Sequence, residues 1–419
     1  MGAATPMPEA APETTSARRP LSLLSPLGQR DFALLWVGQS VSRLGDSAYG
    51  TVLAWTVLSI SNSPAAIGYV LTASSIPQLV LLLAGGLIGD RFSRRAVILV
   101  SDSLSGLAVA AVAVLAATSH LTVPALVVLA AAFGAVSAFF LPAYGALIPE
   151  IVPEDRLQTA NSLGGVSGSA IQIVGPSLGA LIYAWGRAGA AFGFDALTFF
   201  VAAVASFYIH IPPKPYEPRG SVWPDIKAGW GYVRRTTWVW LSISIATVFQ
   251  TVAGAPLFVL LPLILRRHLH LGVEYLGLTF TIAGVSAIIA NLLLAQFPPQ
   301  HRRGPILYAG WGFLGVAILL MGLAQSYALI AIGGALLGVG FAAESIWSSL
   351  LQQHIPAEYL SRVVSLDILG SFALQPLGLA GAGVLASVVD PSTILIVGGA
   401  AGVTLFLIGG LSTPIRTLD

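Results

Sequence analysis

Long apolar blocks, broken by short polar punctuation, run along the chain. A helix needs about 20 apolar residues to cross a hydrocarbon core of ~30 Å, and twelve stretches meet that length. They lie near 33–59, 65–89, 96–118, 122–147, 158–184, 190–211, 237–265, 273–297, 304–324, 327–352, 360–387 and 391–411. The blocks at 304–324 and 391–411 carry almost no charge, and their glycines suit close helix contacts in lipid. Most connections are short, so neighbouring helices must run antiparallel. The pattern predicts an all-α polytopic membrane protein with twelve transmembrane helices.

The polar segments between the blocks divide the chain. Residues 1–30, rich in Ala, Pro, Thr and Glu, read as a flexible tail, and 412–419 as a short C-terminal one. Arg18-Arg19 resembles a twin-arginine export signal, but the apolar run after it is short and is broken by Pro26 and then Gln29-Arg30-Asp31, so no cleaved signal is expected. The longest internal polar stretch, 212–236, ends in an expected short interfacial helix with Trp223, Ile226, Trp230 and Val233 on one face. It separates a six-helix half at 31–211 from another at 237–411. With the N-terminus inside, sixteen of the twenty Lys+Arg fall on the inner side, three outside and one, Arg43, within a span. The positive-inside bias therefore predicts two cytoplasmic termini. Arg266-Arg267, in an outer loop, is the local violation.

A repeat constrains the architecture. Ile151–Ile182 can be laid on His354–Leu385 without gaps at an offset of 203 residues. Pro153 meets Pro356, Asp155 meets Glu358, Ser162-Leu163 meets Ser365-Leu366, and Ala170, Gln172 and Gly175 meet Ala373, Gln375 and Gly378. Equal orientation at half the chain length predicts two parallel six-helix repeats, an arrangement in which the halves rock about a midplane site.

Composition narrows the function. Only 9% of residues are charged and 56% are hydrophobic, against roughly 25% charged in a soluble domain. Mean hydropathy is +0.84. Disorder is excluded beyond the ends, and a net charge of +2 without a long basic run excludes a nucleic-acid binder. With no Cys, there is neither a disulfide framework nor a cysteine nucleophile. The six histidines lack metal-ligand spacing, so no metal site is expected. No GxxxxGK[ST] loop is present, so ATP is not the energy source. No nucleophile–base constellation can be assembled, and an enzyme is not expected.

Between the second and third helices stands Gly86-Leu87-Ile88-Gly89-Asp90-Arg91-Phe92-Ser93-Arg94-Arg95. A short basic loop pins topology, but this order of residues resembles the signature loop of the major facilitator superfamily, with Ser93 where the family usually has glycine. The resemblance covers essentially the whole chain. It implies that Asp90 latches the two halves on the cytoplasmic side, near the start of the eleventh helix, where the helix dipole favours an anion and Arg362 offers a cation. Gly86, Arg91, Arg94, Arg95 and Asp102 belong to the same expected gate. The counterpart loop, Pro298-Pro299-Gln300-His301-Arg302-Arg303, keeps the arginines and lacks the acid. In the fifth helix, Gly175-Pro176-Ser177-Leu178-Gly179 resembles the core of the superfamily's antiporter motif, although small residues there also simply let helices pack. Arg156–Leu163 and Gly38–Asp46 resemble the macrolide-efflux and enterobactin-exporter branch.

Charges within the spans supply the candidate chemistry: Arg43, Asp46, Asp102, Glu344 and Asp367. Each costs ~2.5–3.5 kcal/mol at a helix centre, so each needs a partner or a wet cavity. Arg43 and Asp46, three residues apart, share a helix face and either neutralise each other or serve transport; both readings stand. Asp46 lies deep enough to serve as a proton carrier. Asp102, near its helix's inner end, is expected to snorkel or to pair with Arg94 or Arg95, and Arg362 is the expected neighbour of Asp367. Glu344 has no cation nearby in sequence, and a proton or substrate role is expected for it. Tyr49, Gln172 and Trp347, with Trp55, Gln78, Phe249 and Gln250, suit a cavity for a bulky amphiphile.

Together these features predict a monomeric, multi-pass exporter of a bacterial inner membrane. It would use the proton gradient, without a bound cofactor, to move a small amphiphile by alternating access. A small-metabolite uptake symporter or facilitator on the same fold is the first alternative. A transport-inactive sensor or scaffold is the second.

Overall fold

The computed structural model describes residues 23–89, 93–211 and 223–419, and of 82–89 and 223–226 the backbone alone. Ten stretches among the described residues are long and apolar enough to cross a membrane. One of them, Glu154–Phe207, runs 54 residues; it turns at Arg187, whose φ is 58°, and so makes two crossings. The first helix, Arg30–Ser61, has 32 residues and carries Arg30, Asp31, Arg43 and Asp46. It is long enough but too polar for a composition test, and it completes the expected twelve.

The N-terminal half contains α1 (Arg30–Ser61), α2 (Pro64–Gly89), α3 (Arg94–Ala117), α4 (Val123–Ile151), α5 (157–186) and α6 (188–207). A short helix, α7 (Trp223–Arg235), follows. The C-terminal half contains α8 (Thr237–His268), α9 (Val273–Gln296), α10 (Arg303–Gly322), α11 (Tyr327–His354), α12 (Ala357–Leu385) and α13 (Pro391–Leu411). Within the first half, α1 packs on the α5–α6 stretch, α2 on α4, and α3 on α4 and on the α5–α6 stretch. Within the second, α10 packs on α13 and α11, α9 on α11, and α8 on α12.

Several helices are interrupted, each for a local reason. Pro376 has no N–H to give the Phe372 carbonyl and its ring crowds it, so α12 breaks at Ala373–Leu374. In α8, two turns widened to π geometry, Gln250–Gly254 and Ile264–His268, flank Pro256 and Pro262. In α11, Ala343 separates Tyr327–Ala342 from Glu344–His354.

The repeat is visible in packing. A Cβ on Gly175 of α5 would strike Ser47 of α1, and one on Gly378 of α12 would lie 2.6 Å from the Thr251 carbonyl oxygen of α8. Equivalent small residues thus seat α5 on α1 and α12 on α8. The helix α7 docks on the start of α12: Val233 is buried, Tyr232 stacks on Tyr359 at 5.0 Å, and Gly229 abuts Arg362. Trp230, expected on the apolar face with Val233, is exposed.

The two halves meet through α5 with α9 and through α2 with α12. Ser177 and Thr281 are hydrogen-bonded at 2.7 Å, and the Thr281 hydroxyl also donates to the Ile173 carbonyl at 2.6 Å. The Thr72 hydroxyl donates to the Pro376 carbonyl at 3.1 Å. Cβ atoms on Gly383 and Gly277 would lie 2.8 Å from the Pro64 carbonyl oxygen and 2.7 Å from the Pro176 one. All these residues occupy the helix portions farther from the chain termini. Toward the terminal side, Asn161, Ser162, Gly165, Ser169 and Gln172 on α5 are exposed, as are Glu358, Ser361, Ser365 and Ile368 on α12. The halves are sealed on one side and apart on the other.

Candidate functional site

Charged and polar side chains collect inside the N-terminal half, around the middle of α1. The Gln39 amide donates to Asp102 Oδ2 at 2.8 Å, and both residues are buried. On α6, Asp195 is 0% exposed. The Thr198 hydroxyl donates to the Asp195 carbonyl at 2.7 Å and lies 3.5 Å from its Oδ1. Gly45 makes this approach possible, since a Cβ there would strike Asp195 Oδ1 and Thr198 Oγ1. One carboxylate oxygen each of Asp46 and Asp195 is buried with no hydrogen-bond partner among the described residues. No ion pair within 4 Å joins either acid to a cation there. An ionised carboxylate so placed lacks what a membrane interior demands of it.

Of the two readings of Arg43 and Asp46, the salt bridge is not formed: no ion pair within 4 Å joins them. The Arg43 guanidinium instead lies 4.7 Å from the centroid of the Tyr144 ring on α4, a cation–π arrangement. Arg43 and Tyr144 line a hollow of about 370 Å³ that also includes Trp36, Asn161, Ser169 and Gln172. Gln172 is therefore where a cavity residue should be. Tyr49 is not: its ring is 8% exposed and packs 5.4 Å from those of Phe133 and Phe192.

In the C-terminal half, Trp347 is likewise core, 3% exposed and set edge-on to Trp238 at 5.4 Å. Its indole N–H donates to Asp367 Oδ2 at 2.8 Å, and the Ser371 hydroxyl donates to Oδ1 at 3.3 Å. Glu344 opens the second segment of α11 and is exposed together with Phe341 and Ser345. At 100° per residue these three point away from Val339, Ala342, Ala343 and Ile346, which border an apolar groove with α9 and α10. Glu344 therefore points away from that groove. Beside it, the Ser345 hydroxyl donates to Asn291 Oδ1 at 2.6 Å, tying α11 to α9.

The arginines assigned to the gate do other work here. Arg94 pairs with Glu150 at 2.6 Å and donates to the Ala146 carbonyl at 2.8 Å. Arg95 donates to the Ser206 carbonyl at 3.0 Å and to that of Phe207. Each lies at the C-terminal end of a neighbouring helix, α4 or α6, where the helix dipole favours a cation. Asp102, expected to snorkel or to pair with one of them, accepts from Gln39 instead. Gly86 falls where only the backbone is described, and Asp90 and Arg91 lie outside the described residues. Trp55 and Phe249, offered as cavity aromatics, are buried in the packing of the halves.

In the fifth helix, Gly175 and Gly179 serve contact with α1. A Cβ on Gly179 would lie 2.6 Å from the Ala48 Cα, while Pro176 and Ala180 face Gly277 of the other half. Asp195 is the residue that sequence reasoning missed. It interrupts the apolar stretch Phe192-Gly193-Phe194-Asp195-Ala196-Leu197, and the rule that singles out Asp46 applies to it equally.

A helical bundle of two parallel repeats, sealed at one end and carrying interior carboxylates, has the form of a secondary transporter. The chain belongs to the Major Facilitator Superfamily, whose profile matches residues 35–374; it is a multi-pass transporter of that family. It is 22% identical over 395 residues to macrolide efflux protein A of Streptococcus pyogenes, covering 93% of this chain and 97% of that one. It is 22% identical over 376 residues to the enterobactin exporter EntS of Citrobacter koseri, covering 88% and 90%. In fold it resembles a bacterial homologue of the iron transporter ferroportin in an inward-facing state, with a TM-score of 0.69, 18% identity and coverage of 91% and 99%.

Proposed function

We propose that the protein is a proton-coupled exporter of a small amphiphilic molecule, working by alternating access in a bacterial inner membrane with both termini cytoplasmic. The observation that carries the reading is the half-buried Asp46 and the buried Asp195, each with a buried oxygen that no described group satisfies, in the same half as a polar hollow on the terminal side. A proton supplies what such a carboxylate lacks. Its binding and release alter the charge of the half that must move, and that is the requirement for coupling.

Export over uptake is supported by the efflux relatives. On this orientation the structure is open inward, sealed outside by α2–α12 and α5–α9. One unit charge moving down 100 mV supplies ~2.3 kcal/mol, enough for about a fifty-fold substrate gradient. No bound cofactor is needed, the functional unit is the monomer, and Glu344 faces the transport path from the opposite half.

The test is proton movement in everted membrane vesicles, followed with a pH-sensitive dye while macrolides, siderophores and amphiphilic drugs are added. Substrate-triggered proton release that disappears in Asp46→Asn supports antiport. Dye signals from folded wild-type protein that match those of vesicles lacking it, across compounds shown separately to be moved, contradict proton coupling.

A further inference from the structure

The hollow beside α1 has a chemistry of its own. Its lining carries one charge, the guanidinium of Arg43. That group donates no hydrogen bond to any described residue; its neighbours are the Tyr144 ring and, three residues along α1, Asp46, which does not line the hollow. The side-chain amides of Asn161 and Gln172, which also line it, make no hydrogen bond among the described residues. Three groups that carry N–H donors thus line one space, and none of them donates to a described residue.

The walls are unlike each other. On the α5 side three glycines open the hollow, since Cβ atoms built on Gly164, Gly165 and Gly168 would meet nothing within 4 Å; Ala160, Asn161, Ser169 and Gln172 flank them. Facing them are the rings of Trp36 and Tyr144. Glycines that leave open space beside aromatic rings make room for a planar group, and a guanidinium that donates no hydrogen bond to a described residue favours a carboxylate or other oxyanion, which it can hold by two parallel hydrogen bonds. The volume, about 370 Å³, is near the lower bound of small-molecule sites, ~300 Å³, and suits one ring system with its anionic group.

We infer that this hollow is a subsite for an aromatic anion, with the oxyanion on Arg43 and the ring against the α5 glycines. The inference rests on the reading of the chain as a small-molecule exporter and specifies the class of substrate it accepts.

Binding to the purified full-length protein in lipid nanodiscs, where no gradient exists, tests it. The probes are 2-naphthoate and its neutral isostere 2-naphthamide. Naphthoate should bind about tenfold or more tighter than the amide. Arg43→Gln should remove that preference while leaving the amide unchanged, and Arg43→Lys should restore part of it. Gly165→Leu, which fills the wall, should weaken both probes. Equal binding of acid and amide to the wild type overturns the inference, as does undiminished naphthoate binding in Arg43→Gln. Should Arg43→Gln fail to fold, the wild-type ratio and Gly165→Leu still decide. Proton release triggered by another compound, without naphthoate binding, would sink this inference alone; Arg43-dependent binding without proton release would sink the antiport reading alone.

Discussion

In the N-terminal half, Asp46 and Asp195 each keep one buried carboxylate oxygen without a partner, whereas in the C-terminal half both oxygens of Asp367 are held, by Trp347 and Ser371. The backbones of the two halves are built alike, down to a glycine of α5 and one of α12 seated on α1 and α8. What differs is how buried charge is treated. The C-terminal carboxylate is a strut, tying α11 to α12 through an indole N–H. The N-terminal pair is left with unmet demand in the same half as the polar hollow, and an unmet demand is something a proton can answer.

The largest expected effect contrasts the two kinds of acid. Asp195→Asn, like Asp46→Asn, should abolish gradient-driven efflux while leaving folding intact, whereas Asp367→Asn should keep most of it. Drug accumulation in everted vesicles, normalised to protein level, checks this. Full efflux by Asp195→Asn would erase the distinction.

Next comes the cradle. Gly45→Ala puts a methyl group against Asp195 and Thr198, 3.1 Å from the Asp195 Cα, and overpacking of this kind costs about 1–3 kcal/mol. A lower Tm in thermal unfolding, together with loss of efflux, is the expected outcome. The corresponding change at Gly164, where a Cβ meets open space, should leave Tm unchanged.

On the other side of the comparison, Trp347→Phe removes the bond to Asp367 and leaves a carboxylate oxygen unsatisfied. A cost of about 1–3 kcal/mol is expected, with Tm falling and gradient-driven efflux by the folded fraction largely retained.

The smallest effect concerns the sealed side. Arg267 donates to the carbonyl of Asn62, and to its side-chain oxygen at 3.2 Å, bridging the halves at the end of α1. This gives Arg267, one of the basic pair that breaks the positive-inside pattern, a structural use. One such bond is worth about 0.5–1.5 kcal/mol, so Arg267→Ala should raise opening of that side about two- to twelvefold. The natural chain has no cysteine, so a single one placed at Ser177 reports opening by its labelling rate with an impermeant maleimide.

Much of the fold could be read from the sequence because lipid imposes a length rule on each span and the loops carry the charge. The expected ends of α2, α4, α9 and α13 fall within a few residues of the observed ones. The interruptions were harder to read. Pro376 breaks α12, yet Pro176 leaves α5 continuous, and the choice between them depends on neighbouring helices. The site was legible in part for the same reason. A charge inside a span announces itself, but its partner is chosen by packing between distant segments. Gln39 reaches Asp102 across 63 residues and Trp347 reaches Asp367 across 20. The cradle for Asp195 is a glycine 150 positions earlier. Arg94 and Arg95 look like gate residues until the carbonyls of α4 and α6 that they reach are seen beside them.

The central claim is that protons ride on the N-terminal carboxylates. Its most direct test is to compare exchange with uphill transport in proteoliposomes, using whichever compound triggers proton release in vesicles. Substrate exchange without a gradient requires only that the halves rock, while uphill transport requires protonation and deprotonation in each cycle. Asp46→Asn and Asp195→Asn should both keep exchange near the wild-type rate and lose all gradient-driven accumulation. Accumulation that survives in both variants would contradict the account.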